Sequence, residues 1–149
     1  YSYVGFLPIL AVIFFVVFLS ANMLHYAPQP EPIYELIFEE KRALLLIIIS
    51  VLISVAGPFI EEVFFRGFLY PALKKRLGIS HGIFFSALLF SMLHTNLLGF
   101  FPILALGMFL AYLREKTGSL IPSITVHVVH NTALASLMFL VRYITAKAA

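Results

Sequence analysis

Long uninterrupted runs of apolar residues constrain this chain more than any other feature. Five such runs follow one another, and several approach the roughly 20 residues that span a bilayer core. They begin at Val4, Ala43, Gly82, Gly99 and Ser119. Because lipid offers backbone N–H and C=O groups no hydrogen-bond partner, such runs must satisfy these groups internally, as a helix does. The sequence therefore predicts an all-α fold, a polytopic transmembrane bundle of about five to six helices.

The composition supports a membrane setting. Of the 149 residues, 62% are hydrophobic and 11% are charged, whereas soluble domains carry about 25% charged residues. The mean hydropathy is +1.03. Cysteine is absent from the sequence, which excludes disulfides, thiol nucleophiles and cysteine-ligated zinc. Any catalytic site must therefore use other side chains.

One polar, proline-rich segment separates the first two apolar runs. It reads "HYAPQPEPIYELIFEEKRA", residues 25–43. Its apolar and acidic residues suit a short amphipathic helix on the membrane surface, and a solvated loop is an equally good interpretation. A second polar connector is predicted at "KKRLGISHG", residues 74–82. We find no internal repeat in the sequence and expect a single membrane domain over residues 1–149.

Polar and charged side chains interrupt the apolar runs at a few positions. Ionisable groups at membrane depth are costly, so they tend to face the interior of a bundle and mark functional sites. One intramembrane histidine alone is as often a hydrogen-bonded core residue, but seven polar positions together favour a shared site and predict an intramembrane polar cavity. These positions are Glu61, Glu62, Arg66, His94, His127, His130 and Asn131.

Helix geometry predicts an ion pair beside a free carboxylate. Glu62 and Arg66 are four positions apart, in the acid-before-base order that favours pairing. Glu61 stays outside this pair, so we expect Glu62 and Arg66 to support the helix that presents Glu61. Pro58, one turn earlier, would kink that helix and free a carbonyl to line the cavity.

The last apolar run offers a second polar helix face. His127 and Asn131 are four positions apart and share this face. His130 points roughly 60° to 100° away from both of them, at 100° per residue. We therefore rank His130 below His127 as a site residue.

A carboxylate, two imidazoles and an amide suit the hydrolysis of a peptide bond. Glu61 can take a proton from water as general base, and His94 can hold that water and transfer the proton. His127 and Asn131 can donate hydrogen bonds to the oxyanion of the tetrahedral intermediate. This chemistry needs no serine or cysteine nucleophile and no cofactor.

Zinc is an alternative on the same residues. Glu61, His94 and His127 form a three-ligand set that leaves a position for water, as catalytic zinc requires. The sequence contains no HExxH motif, and each of the three ligands lies on a different predicted helix. We therefore favour a site without metal.

Three short motifs resemble those of one family of membrane proteins. "EEVFFRG" at residues 61–67 is similar to its EExxxR motif, "FSMLH" at 90–94 to its FxxxH motif, and "HVVHN" at 127–131 to its HxxxN motif. The three occur in the family's order, each on its own predicted helix. The chain thus resembles the CAAX-protease and bacteriocin-processing family, the Abi or Rce1-like glutamate intramembrane proteases. The resemblance covers residues 43–140, which leaves residues 1–42 as an extra transmembrane helix and an interfacial linker.

The resemblance implies a function and a set of roles. In the family, the first motif's glutamate and the second motif's histidine are assigned to water activation, which here are Glu61 and His94. The third motif is assigned to oxyanion binding, which here involves His127 and Asn131. We expect an intramembrane endopeptidase, in a prokaryotic inner membrane, that cleaves near the terminus of a membrane-associated or lipidated protein.

Two non-enzymatic functions remain open on the sequence. A peptide-binding or bacteriocin-immunity protein would use the same cavity without cutting, and intact Glu61 and His94 count against it. A proton-coupled transporter subunit would more often show inverted repeats. We expect a membrane-associated peptide or protein and the bilayer as partners, and no nucleic acid.

Overall fold

The computed structural model describes Phe15, Leu19, Asn22, residues 32–94 and residues 99–148. This part of the chain is helical and contains no β-strand, which confirms the all-α prediction. The first apolar run, from Val4, lies outside the described residues except for three helical positions. The helices are α1 (Pro32–Glu39), α2 (Ala43–Leu77), α3 (Ile79–Met92), α4 (Phe100–Thr117) and α5 (Ile121–Ala148).

Two of these helices are long and apolar enough to cross a membrane. They are Ala43–Leu77, whose most apolar 18-residue window has a mean hydropathy of 2.7, and Ile121–Lys147, whose window has 1.6. Only 17% and 11% of their most apolar windows are buried, so both present their apolar side chains outward, as lipid-facing helices do. Helix α3 is apolar but shorter. The predicted count of five to six spanning helices around a cavity is not confirmed within the described residues.

Helix α2 contains two π-helical segments, Leu52–Ala56 and Val63–Leu69. Each ends two residues before a proline, Pro58 or Pro71. The N–H of Gly57 bonds to the carbonyl of Leu52, five positions back, instead of four. A proline has no N–H to continue this ladder. The predicted kink at Pro58 is therefore a widened turn, and the next carbonyl in the π pattern, that of Ile53, is left for another donor.

Short turns at glycines join the helices. Gly78 alone separates α2 from α3, with φ +82, and Gly118 ends α4 with φ +66. Both angles favour glycine, which has no Cβ to oppose them. The prediction of a connector at residues 74–82 was wrong, because all of these residues except Gly78 lie in α2 or α3. Its three basic residues lie in the last turn of α2, where cations are favourable next to the helix dipole.

Of the two interpretations of the linker, the helix is the one observed, as α1, and its position on a membrane surface stays a prediction. Its Ile37 is fully buried, while Leu36 and Glu39 are exposed. Arg142 of α5 donates to the carbonyls of Ile37 and Glu40 at 2.7 and 2.5 Å. These carbonyls belong to the C-terminal end of α1, where the last turn has no intrahelical partner. Arg142 therefore fixes α1 against α5.

Helices α3 and α4 pack closely at Gly107. A Cβ there would lie 3.1 Å from the Cβ of Ala87 and 3.2 Å from the ring of Phe90. Small residues allow such close approach between helices in membranes. The contact leaves the Gly107 carbonyl within reach of α2, where Arg66 binds it.

Candidate active site

A buried ion pair holds the centre of the site. Arg66 and Glu62 are completely buried, and Arg66 Nη1 donates to Glu62 Oε1 at 2.7 Å. Arg66 Nη2 donates to the carbonyl of Gly107 at 2.9 Å, and its guanidinium carbon lies 4.5 Å from the centre of the Phe90 ring. The predicted ion pair is therefore present, and it joins α2 to α4 as well as spanning one turn of α2.

Glu62 has a second partner that the sequence did not indicate. His127 Nδ1 lies 3.0 Å from the same carboxylate oxygen, Oε1, that accepts from Arg66. Because a carboxylate paired with arginine accepts hydrogen bonds, we assign the proton of the ring to Nδ1. Glu62 thus orients the imidazole of His127, as carboxylates do for histidines in many catalytic and metal sites.

This orientation turns the other ring nitrogen of His127 toward Glu61. His127 Nε2 lies 3.6 Å from Glu61 Oε2, which is too long for a direct hydrogen bond. The Glu61 side chain is 34% exposed, against 0% for Glu62. Glu61 Oε2 is nevertheless buried and has no hydrogen-bond partner among the described residues. Glu61 therefore presents a carboxylate oxygen that is available to accept a proton.

His94 lies at the end of α3, next to the same aromatic ring. Its Nδ1 is 2.8 Å from the carbonyl of Phe90, an acceptor, so Nδ1 is the donor and Nε2 is left free of that bond. The Phe90 ring contacts both imidazoles, with centroids 4.7 Å from His94 and 5.7 Å from His127. Phe90 therefore separates the two histidines. Residues 95–98, which follow His94, lie outside the described residues.

Asn131 contacts a different part of α2. Its Nδ2 donates to the carbonyl of Ile53 at 3.0 Å, the carbonyl that the π ladder leaves unpaired before Pro58. His127 and Asn131 thus both face α2, but they reach positions about two turns apart. The amide of Asn131 has a second N–H, which is the one available for an oxyanion. His130, ranked lower from the sequence, is half-buried on the neighbouring face of α5.

The geometry thus brings together four of the predicted residues in direct contact. Glu61, Glu62, Arg66 and His127 form one network, to which His94 is linked through Phe90. Among the described residues no three histidine or carboxylate side chains form a group that fits a metal ion. The proposed zinc set of Glu61, His94 and His127 does not meet in this arrangement, so we derive no step through zinc.

Comparison with known proteins identifies the family of the part of the chain that carries this site. The family model described as type II CAAX prenyl endopeptidase Rce1-like matches residues 43–133, more than half of the chain. The chain belongs to the Rce1-like family. The matched range includes every residue of the network above.

One curated relative is similar over the same part of the chain. It is named "Putative membrane peptidase YdiL" and comes from Bacillus subtilis (strain 168). The two sequences are 30% identical over 88 residues, which is 59% of this chain and 35% of the relative. The chain therefore spans about a third of that protein's length. No solved structure matches the chain.

Proposed function

We propose that this chain is an intramembrane endopeptidase that hydrolyses a peptide bond near the terminus of a membrane-associated or lipidated protein, with water activated by Glu61. The observation that carries the proposal is the unpartnered Oε2 of Glu61, which faces a histidine oriented by a buried carboxylate. Family membership supports the reaction type.

The reaction needs one proton acceptor that later becomes a donor. The Glu61 carboxylate takes a proton from water while the water oxygen bonds to the substrate's carbonyl carbon, and the C=O electron pair moves to its oxygen. When the tetrahedral intermediate collapses, the C–N bond breaks. The protonated Glu61 then delivers its proton to the leaving nitrogen, which returns the carboxylate to its starting state.

The surrounding residues would hold the water and the oxyanion. The free Nε2 of His94 can accept a hydrogen bond from the attacking water. The second N–H of Asn131 can donate to the oxyanion, an interaction that is typically worth about 3–4 kcal/mol in the transition state. His127 can also donate from Nε2, but only as the imidazolium, because Nδ1 already donates to Glu62.

The substrate and location follow from the family and the setting. We propose a membrane-anchored substrate because α2 is long and apolar enough to cross a membrane and Glu61 lies eighteen positions from its start, which supports a site at membrane depth. The bacterial relative supports an inner-membrane location in a prokaryote. The bilayer itself would then hold both enzyme and substrate.

A cleavage assay tests the proposal against a binding or immunity function. Purified protein in lipid nanodiscs is incubated with synthetic membrane-anchored peptides, and products are identified by mass spectrometry. We expect cleavage a few residues from the peptide terminus. Stable binding of a peptide that is never cut, across both acylated and prenylated peptides, would instead support the non-catalytic function.

A metal assay separates the water-activating glutamate from zinc. Protein prepared without added metal should contain far less than one zinc per chain and keep its turnover after dialysis against a membrane-permeable chelator. A zinc enzyme would hold about one equivalent, lose activity when the metal is removed and regain it with added zinc. That second result would replace the mechanism and leave the protease assignment in place.

A further inference from the structure

A polar cavity lies at the C-terminal ends of α2 and α4, away from the candidate active site. It has a volume of about 170 Å³ and is lined by Tyr70, Pro71, Lys74, Arg114, Glu115 and Gly118. Tyr70 is eight positions beyond Glu62, or about 12 Å along the helix. Neither the family's motifs nor the proposed mechanism uses any of these residues.

The one acid of the cavity is already neutralised. Lys74 Nζ donates to both carboxylate oxygens of Glu115, at 2.8 and 2.7 Å, and the Tyr70 hydroxyl donates to Oε2 at 2.6 Å. The hydrogen bonds from Lys74 and then Tyr70 hold the pKa of Glu115 below its ordinary value. Glu115 is therefore a carboxylate with its own cation, and it leaves the charge of Arg114 uncompensated.

Arg114 is the feature that indicates a ligand. Arg114 is half-buried and lines the cavity, and its Nε is buried with no hydrogen-bond partner among the described residues. A buried N–H without a partner is costly, so an acceptor that reaches it from the cavity would be bound with a gain. Three exposed basic residues lie at the same end of the two helices, namely Lys75, Arg76 and Lys116.

We propose that this cavity binds the phosphate of an anionic phospholipid headgroup. The planar guanidinium of Arg114 can donate two parallel hydrogen bonds to phosphate oxygens. Lys74 cannot make this contact, because its ammonium group already donates to Glu115. The cavity lies where α2, a helix long and apolar enough to cross a membrane, ends, and the last turns of α2 carry the exposed apolar side chains Phe68 and Leu77, which acyl chains could contact. Basic pockets between spanning helices are sites of this type in other membrane proteins.

The test compares lipids on the intact protein. We measure thermal unfolding and lipid retention by native mass spectrometry in phosphatidylcholine nanodiscs with and without phosphatidylglycerol. We expect phosphatidylglycerol to raise the unfolding temperature and to remain bound. Arg114→Gln should weaken this binding about tenfold or more, as the loss of charge-assisted hydrogen bonds predicts. Arg76→Gln removes the same charge from the same end outside the cavity, and it should weaken binding less than about threefold.

Several results would overturn the proposal. One is a wild-type protein that does not distinguish phosphatidylglycerol from phosphatidylcholine. This measurement does not depend on the folding of any variant. Another is an equal effect of Arg114→Gln and Arg76→Gln, which would mean surface attraction alone. Inorganic phosphate that stabilises the protein while the lipid does not would assign the site to a free anion. Stabilisation only by short peptides with a free C-terminus, and not by their amides, would assign it to a substrate carboxylate.

Discussion

Glu61 and Glu62 have opposite surroundings although they are consecutive residues of one helix. Successive helical positions differ by about 100°, so Glu62 faces α4 and α5 and is fully buried, while Glu61 stays partly exposed. Oε2 of both carboxylates has no hydrogen-bond partner among the described residues, but Glu62 accepts from Arg66 and pairs with His127 through Oε1 and is fully buried, whereas only the Glu61 side chain is open to its surroundings. This difference is why we assign support to Glu62 and chemistry to Glu61.

The Glu62–Arg66 pair should show strong coupling in stability. Removing either partner leaves a buried charge uncompensated, so Glu62→Ala and Arg66→Ala should each lower the free energy of unfolding by about 3–5 kcal/mol. The double variant should cost less than the two losses added. Unfolding of all four proteins in one detergent measures the coupling, and strict additivity would show that the pair contributes nothing.

Glu40, outside the spanning helices, gives a pH dependence. The side chain of Arg42 and the backbone N–H of Arg42 bond to its carboxylate and lower its pKa from 4.5 to about 2. A lowered pKa in the folded state gives stability that is complete above the unfolded pKa and disappears as pH falls through the folded one. The unfolding-temperature difference between wild type and Glu40→Gln should therefore be constant above about pH 6 and shrink toward pH 2.

A neighbouring glutamate supplies the control for this pH series. Glu39→Gln makes the same chemical change one position earlier, at an exposed side chain. Its difference from wild type should not follow the same course. A Glu40→Gln difference that grew as the pH fell would contradict the assigned hydrogen bonds.

Between the helices, Asn131 supplies a hydrogen bond that Pro58 cannot. Its side chain donates to the carbonyl of Ile53, which the missing N–H of Pro58 leaves unpaired. Asn131→Ala leaves the Ile53 carbonyl unpaired and should lower the free energy of unfolding by about 1–3 kcal/mol. Pro58→Ala supplies a backbone N–H that can reach this region, so Asn131→Ala should cost less in that background. Equal costs in both backgrounds, measured by unfolding, would mean that Asn131 does not serve this carbonyl.

The same four proteins separate the two roles of Asn131. If its second N–H binds the oxyanion, Asn131→Ala should lower kcat by roughly 10²–10³. Pro58→Ala should then restore stability without restoring kcat. Recovery of both together would restrict Asn131 to its structural contact with α2.

Contacts within one helix could be predicted from the sequence, whereas contacts between helices could not. The ion pair of Glu62 and Arg66 follows from a four-residue spacing within one helix, whereas the amphipathic pattern of the linker left α1 and a solvated loop equally open. The contact of His127 with Glu62 depends on how α5 packs on α2, which spacing within one helix does not fix. The partner of Asn131 depends on a π segment, and a uniform α-helical period does not produce one.

Charge also misled the sequence interpretation at one helix end. The sequence predicts a connector at residues 74–82, which begin with Lys74, Lys75 and Arg76. These three residues form the last turn of α2, where their stems can extend along the helix to the membrane surface.

In the molecule as a whole, buried polar side chains meet between helices that turn their apolar side chains outward. Two helices have the length and hydropathy to cross a membrane, and α2 carries Glu62 just before its second π segment and Arg66 within that segment. The Arg66 contact with the Gly107 carbonyl joins α2 to α4, and His127 joins it to α5. One carboxylate at this junction, Glu61, would then perform the chemistry.

Turnover of Glu61→Gln tests that central claim most directly. The substitution keeps the size of the side chain and removes its ability to take a proton, and Glu39→Gln makes the same change on the exposed face of α1. With a membrane-anchored peptide that the wild type cleaves, Glu61→Gln should lose at least about 10²-fold in kcat, the lower range for a general base. Its unfolding temperature should stay close to that of the wild type, and Glu39→Gln should cleave normally. Wild-type turnover in folded Glu61→Gln would contradict the account.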